Sequence, residues 1–157
     1  MPRMSGWTNR GAYRTLGVRF RGQSNPSSYY LALVTASPAP DDADNTLGDI
    51  AEIAPGNGYL AGGQALGAGA ADFDVWTEDD ANHRAIVQLR DVVWTAAGGP
   101  IPASGNPARH AVLTDANATV GSREVFHFWD LGSSLTALAG QALTVRDAEI
   151  QLVTVSA

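Results

Sequence analysis

Several things are missing from this chain, and each absence narrows what it can be. Its 157 residues contain no cysteine, which excludes a disulfide framework and any thiolate zinc site. Lysine is absent as well, so all ten basic residues are arginine. Genomic base composition is the expected cause, although arginine also forms planar, multi-donor contacts that lysine does not. No stretch approaches the ~20 apolar residues that span a bilayer, and no membrane partner is expected. The N-terminal MPRMSGWTNRGAYR lacks the apolar centre of a secretory signal, so synthesis in a cytoplasm is the expectation. A composition that is 45% hydrophobic and 17% charged suits one globular domain.

Acid is absent from residues 1–40, which carry Arg3, Arg10, Arg14, Arg19 and Arg21. The other five arginines stand against all sixteen acids in residues 41–157, so a basic block of +5 precedes a body of −11, giving −6 overall. Single-sign blocks set local potentials that net charge conceals. The basic block therefore suits a negative partner: nucleic acid, an acidic protein surface, or the body of another copy.

Residues 1–28 are rich in Gly, Arg, Ser and Asn, with scattered apolar anchors at Trp7, Tyr13, Leu16, Val18 and Phe20. This composition predicts an extended N-terminal arm over 1–28 that orders on binding, followed by a folded domain over 29–157. Strands are predicted at 29–35, 72–77, 84–89, 91–95, 109–114, 124–131, 142–146 and 149–155, separated by Gly, Pro, Asn and Asp. A short helical turn is expected around Leu47–Ile53, and Gly58–Gly63 reads as a turn or short edge strand. About eight short strands without a normal amphipathic helix indicate an all-β fold, an antiparallel β-sandwich of jelly-roll type.

Reactive constellations are sparse. The segment Gly56-Asn57-Gly58-Tyr59-Leu60-Ala61-Gly62 has the glycines of a phosphate loop but follows a proline and opens no helix, so it reads as a turn. Asp41, Asp42 and Asp44 with Asn45 have the oxygen density of a calcium loop without its turn glycine and distal glutamate, and a solvated loop is expected. His83, His110 and His127 share no ligand spacing, and no G-x-S-x-G nucleophile turn occurs. The expectation is a protein that is not an enzyme and has no cofactor, metal or catalytic residue. In the basic block, aromatic residues alternate with arginines, a pattern that serves either base stacking with phosphate contact or burial in a protein partner. With an acidic body on every copy, protein is the expected partner over nucleic acid. The expected interface residues are Arg3, Trp7, Arg10, Tyr13, Arg14, Arg19, Phe20 and Arg21.

The succession of YYLALVT at 29–35, a Pro/Asp-rich turn, NGYLAGG at 57–63, DVVWT at 91–95, ARHAVLTD at 108–115 and GQALTV at 140–145 resembles a family of small tailed-bacteriophage virion proteins, often labelled tail fibre or minor structural protein. The acidic insert at 41–53 departs from that pattern. The resemblance implies a β-rich structural protein of the virion and transfers no site residue. A capsid decoration or cement protein is the expected member type, binding major capsid protein or other virion proteins and forming a homo-oligomer, dimer or trimer. A tail or baseplate fibre or adaptor, and a carbohydrate-binding or hydrolytic β-sandwich, are the alternatives.

Overall fold

The structure, a computed structural model, describes residues 5–154, so Arg3 of the expected interface lies outside the described residues. Ten strands form three antiparallel sheets. They are β1 (Ser5–Trp7), β2 (Ser28–Val34), β3 (Gln64–Gly67), β4 (Val75–Asp79), β5 (Arg84–Gln88), β6 (Val92–Thr95), β7 (Ala108–Asp115), β8 (Val125–Leu135), β9 (Ala142–Val145) and β10 (Glu149–Val153). One helix, α1 (Asn9–Phe20), follows β1. The largest sheet has the order β1-β8-β7-β2-β3, a second has β10-β5-β4, and β6 pairs with β9.

The five-stranded sheet is covered on both faces, and the period of two along β2 shows how. Leu31 and Leu33 point to one side, Ala32 and Val34 to the other, and all four are fully buried. On the first side they join Val92 and Trp94 of β6, Leu143 and Val145 of β9 and Ile150 of β10 in the main core. On the second, Ala32 and Val34 pack with Val112, Phe128, Leu47 and Ile50, the last two from the segment between β2 and β3. Burying both faces explains why β2 is a nearly continuous apolar run.

A β-bulge decides which residues of β8 enter which layer. Leu113 pairs with His127 but Thr114 pairs with Val125, leaving Phe126 as the extra residue. Strict alternation would place Val125, His127, Trp129 and Leu131 together; the bulge instead puts Val125 beside Phe128 and leaves Trp129 with the main core.

The segment between β2 and β3 is fixed by a buried polar knot. Tyr59, with no exposed surface, donates its hydroxyl to Glu52 Oε1 at 2.7 Å and accepts from the Leu33 amide at 2.9 Å. Glu52 Oε1 also accepts from Gly62 N at 2.6 Å. Arg123 closes the knot, donating to the carbonyls of Asn117 and Gly62, with its guanidinium 3.7 Å from the Tyr30 ring centroid. Burial first, and then the Glu52 carboxylate, push the Tyr59 pKa upward. Gly63 is required here, because φ is +82° and a Cβ would lie 1.9 Å from the Leu31 carbonyl oxygen.

Three sequence expectations are corrected. The extended arm is a strand and a helix packed on the body. The short helical turn expected around Leu47–Ile53 is present, as a 3-10 turn over Leu47–Asp49 with a Thr46/Asp49 capping box. Gly58–Gly63 is the turn of its two expected readings, and the strand beside β2 is β3, over which the sequence predicts none. The strand expected at 72–77 is displaced to β4.

Candidate functional site

Helix α1 is a poor helix by sequence, with Gly11 and Gly17 inside it, each about 1 kcal/mol worse than alanine. Contacts with the body hold it. Thr8 caps it, accepting from Gly11 N at 2.9 Å while donating its hydroxyl to the Val125 carbonyl. The amide of Thr8 donates to Phe126 O at 3.1 Å and that of Asn9 to Asp42 O at 2.7 Å. Gly11 lets the helix lie directly on β8: a Cβ there would fall 2.1 Å from the Phe126 carbonyl oxygen. Glu124 receives Arg14 Nε at 3.1 Å and Arg10 Nη1 at 3.6 Å, and Arg14 Nη1 also donates to Gln23 Oε1 at 3.0 Å.

These contacts sort the expected interface residues into two groups. Trp7 is half-buried in β1, pairs with His127, and donates its indole N–H to the Gln151 carbonyl at 2.9 Å; it belongs to the packing of its own chain. Arg10 and Arg14 are engaged by Glu124. Tyr13, Arg19, Phe20 and Arg21 remain on the surface. Tyr13 is 59% exposed and Phe20 73%, and between them stands Leu16 at 58%, which the expected set omitted. Positions 13, 16 and 20 are spaced i, i+3, i+7, so they form one stripe, a spacing visible in the sequence once the helix is known. Arg19 and Arg21 form no ion pair within the described residues.

Beside the helix runs an open groove of about 530 Å³. Val18 and Arg19 form its α1 wall, Tyr29 and Phe126 its floor, and Val87 and Ile150 the wall supplied by the β10-β5-β4 sheet. His127 also lines it. Its ring lies between Trp7, edge-on at 5.7 Å between centroids, and Trp129, tilted at 4.4 Å, and Nδ1 has no hydrogen-bond partner. Burial lowers the His127 pKa from 6.5 to about 4, with the Phe128 backbone offsetting part of the effect, so the ring is neutral at neutral pH.

Elsewhere the polar side chains serve the backbone. Asp41 accepts from the Ala43 amide, Asp44 from that of Asp41, and Asp49 from those of Asn45 and Thr46, so three carboxylates of the acidic insert cap turns. Among the described residues, no three His, Asp or Glu side chains converge as a metal site would require, and no helix is long and apolar enough to cross a membrane. What the surface offers chemically is an apolar stripe on a helix fastened to β8, and a groove lined on the helix side by Arg19, which forms no ion pair within the described residues. Compared with protein-family models, curated proteins and solved structures, the chain finds no match.

Proposed function

We propose that this protein is a structural component of a bacteriophage virion: a capsid decoration or cement protein that attaches to major capsid protein and to neighbouring copies of itself, with no catalysis and no cofactor. The observation that carries this reading is the outer side of α1. A helix fastened along its inner side by Thr8, Gly11 and Glu124 displays Tyr13, Leu16 and Phe20 to solvent beside two uncompensated arginines. Aromatic and arginine side chains are the residue types that dominate protein-binding hot spots, and an exposed apolar cluster marks a contact surface. Because the helix is already formed, attachment avoids the backbone ordering cost of about 1–2 kcal/mol per residue that a disordered arm incurs. A jelly-roll-like β-sandwich belongs to the same proposal, supported by the packing of the five-stranded sheet against β6–β9 and β10-β5-β4. Protein is preferred over nucleic acid because, among the described residues of the basic block, only Arg19 and Arg21 have no ion pair, above a body of −11.

Labelling the protein on intact particles produced from the genome that encodes it tests the proposal. Label over the head is expected, and a Tyr13→Glu/Phe20→Glu variant should leave heads bare while remaining folded. Label confined to the tail would replace decoration with a tail or baseplate role. Particles without label, or tight salt-sensitive binding of the free protein to DNA, would overturn the virion-contact reading.

A further inference from the structure

The groove beside α1 has a matching feature on the same chain. Strand β4 is an edge of its sheet, paired only with β5, and carries Trp76 at 87% exposed. Trp76 is the register partner of Val87, and Val87 is the partner of Ile150. Directly opposed residues of antiparallel strands share a side, ~5 Å apart. Trp76 therefore projects from the same side of the sheet as the two residues that wall the groove. A tryptophan so exposed on an edge strand is a liability unless something covers it.

The charges around the two features are opposite. Asp74, Glu78 and Asp80 flank Trp76 on the surface and form no ion pair within the described residues, whereas the neighbouring Asp72 and Asp79 are engaged by Arg90 and Arg84. Across the groove, Arg19 lines the α1 wall, and neither it nor Arg21, just past the helix end, forms an ion pair within the described residues. Acids on an edge strand discourage indiscriminate strand pairing, but they do so without discouraging a basic partner, so the same residues select one contact and reject others.

We propose that a second copy of this chain fills the groove, its Trp76 entering between Val18 and Val87 while its Asp74, Glu78 and Asp80 face Arg19 and Arg21. The groove, at about 530 Å³, lies in the size range of sites that enclose a bulky apolar group. Because tryptophan and groove are adjacent on one chain, a two-fold axis lets two copies exchange them reciprocally, each giving and receiving the same contact. This deepens the proposed function by naming the neighbouring copy's surface, yet its test is read in solution.

Sedimentation velocity over a concentration series gives the oligomeric state. The wild-type chain is expected to dimerise, and Trp76→Ala to weaken the dimer at least about 30-fold, the scale of a hot-spot truncation. Two charge variants sharpen the test: one with Arg19→Glu and Arg21→Glu, the other with Glu78→Arg and Asp80→Arg. Each alone should be monomeric, since groove and edge then carry like charge. Mixed in equal amounts they should form a heterodimer, because both contacts regain opposite charge. All substituted residues are exposed, so melting temperatures taken at a dilution where the wild-type chain is monomeric should be unchanged and separate lost contact from lost fold. A wild-type chain that stays monomeric, or a dimer that survives both Trp76→Ala and the charge variants, would overturn the contact. A monomer that still decorates heads sinks this contact and leaves the virion reading standing; a dimer made through Trp76 but absent from particles does the reverse.

Discussion

Two clusters of this fold, one at Arg123 and one on the helix that the adjoining Glu124 holds, use the same residue types to different ends. In the knot of Glu52, Tyr59 and Arg123, the Tyr59 hydroxyl, Glu52 Oε1 and the arginine's Nε and Nη1 have partners within the chain, and Tyr59 is sealed from water. On α1, only the inner arginines, Arg10 and Arg14, have a carboxylate, while Arg19, Arg21, Tyr13, Leu16 and Phe20 face solvent. Satisfied and buried, such groups fix the chain in one place; unsatisfied and exposed, they are left for another molecule. Stability should therefore be concentrated in the first cluster and association in the second.

Breaking the knot should have the largest effect. Gly63→Ala forces a Cβ onto the Leu31 carbonyl at a positive φ, and Tyr59→Phe leaves the Leu33 amide and Glu52 without their shared partner. Each should cost about 3 kcal/mol in urea unfolding. A loss below ~1 kcal/mol for both would show that the knot is not where stability resides.

His127 lines the groove beside α1, and its effect should depend on pH. Its folded pKa of about 4 lies below the ordinary 6.5 because of burial, so the unfolded chain binds the proton more readily. The neutral ring's contribution is complete above about pH 6.5 and is lost as pH falls toward 4, amounting to roughly 3 kcal/mol. Melting temperature followed from pH 7.5 to 4 should show that slope, and His127→Phe should remove the histidine's share of it. An identical slope in the variant would assign acid sensitivity to the carboxylates alone.

The inner side of α1 should contribute less. Glu124 and its arginines are partly exposed, and ion pairs of that kind are worth about 1 kcal/mol or less. Glu124→Gln should destabilise by that amount at low salt, and the difference should vanish at high salt. The smallest effect on folding belongs to the outer side: Tyr13→Ser with Phe20→Ser should change stability by no more than ~0.5 kcal/mol, while attachment to particles is lost. A large destabilisation by this pair would mean that the stripe packs on its own chain, and the contrast between the clusters would fail.

Much of the strand pattern could be read directly. The apolar run at Tyr29–Thr35 and the alternating stretches from Arg84 onward are bounded by Gly, Pro and Asn, and β2 and β5 to β10 fall within a few residues of expectation. Helix α1 could not be read, for an identifiable reason. Gly11, Thr15, Gly17 and Val18 are weak helix formers, and a 12-residue helix of such composition is marginal alone; the backbone of β8 makes it a helix, and the nearest part of β8 is more than 100 residues away in sequence. Trp76 was legible as an aromatic flanked by acids, but nothing local reveals that β4 is an edge or that Val87 lies beside it.

Periodicity, turn chemistry and composition are local properties, and they suffice for the β-rich character, the positions of most strands, the absence of thiol chemistry and the separation of basic from acidic residues. Which charges remain free is set by the fold. Glu124, just before β8, pairs with Arg10 and Arg14, the Phe126 bulge redirects β8, and Trp7 is drawn into the packing, leaving Tyr13, Leu16, Phe20, Arg19 and Arg21 outside. Those outcomes depend on contacts between residues far apart in the chain, and burial and pairing are properties of such contacts.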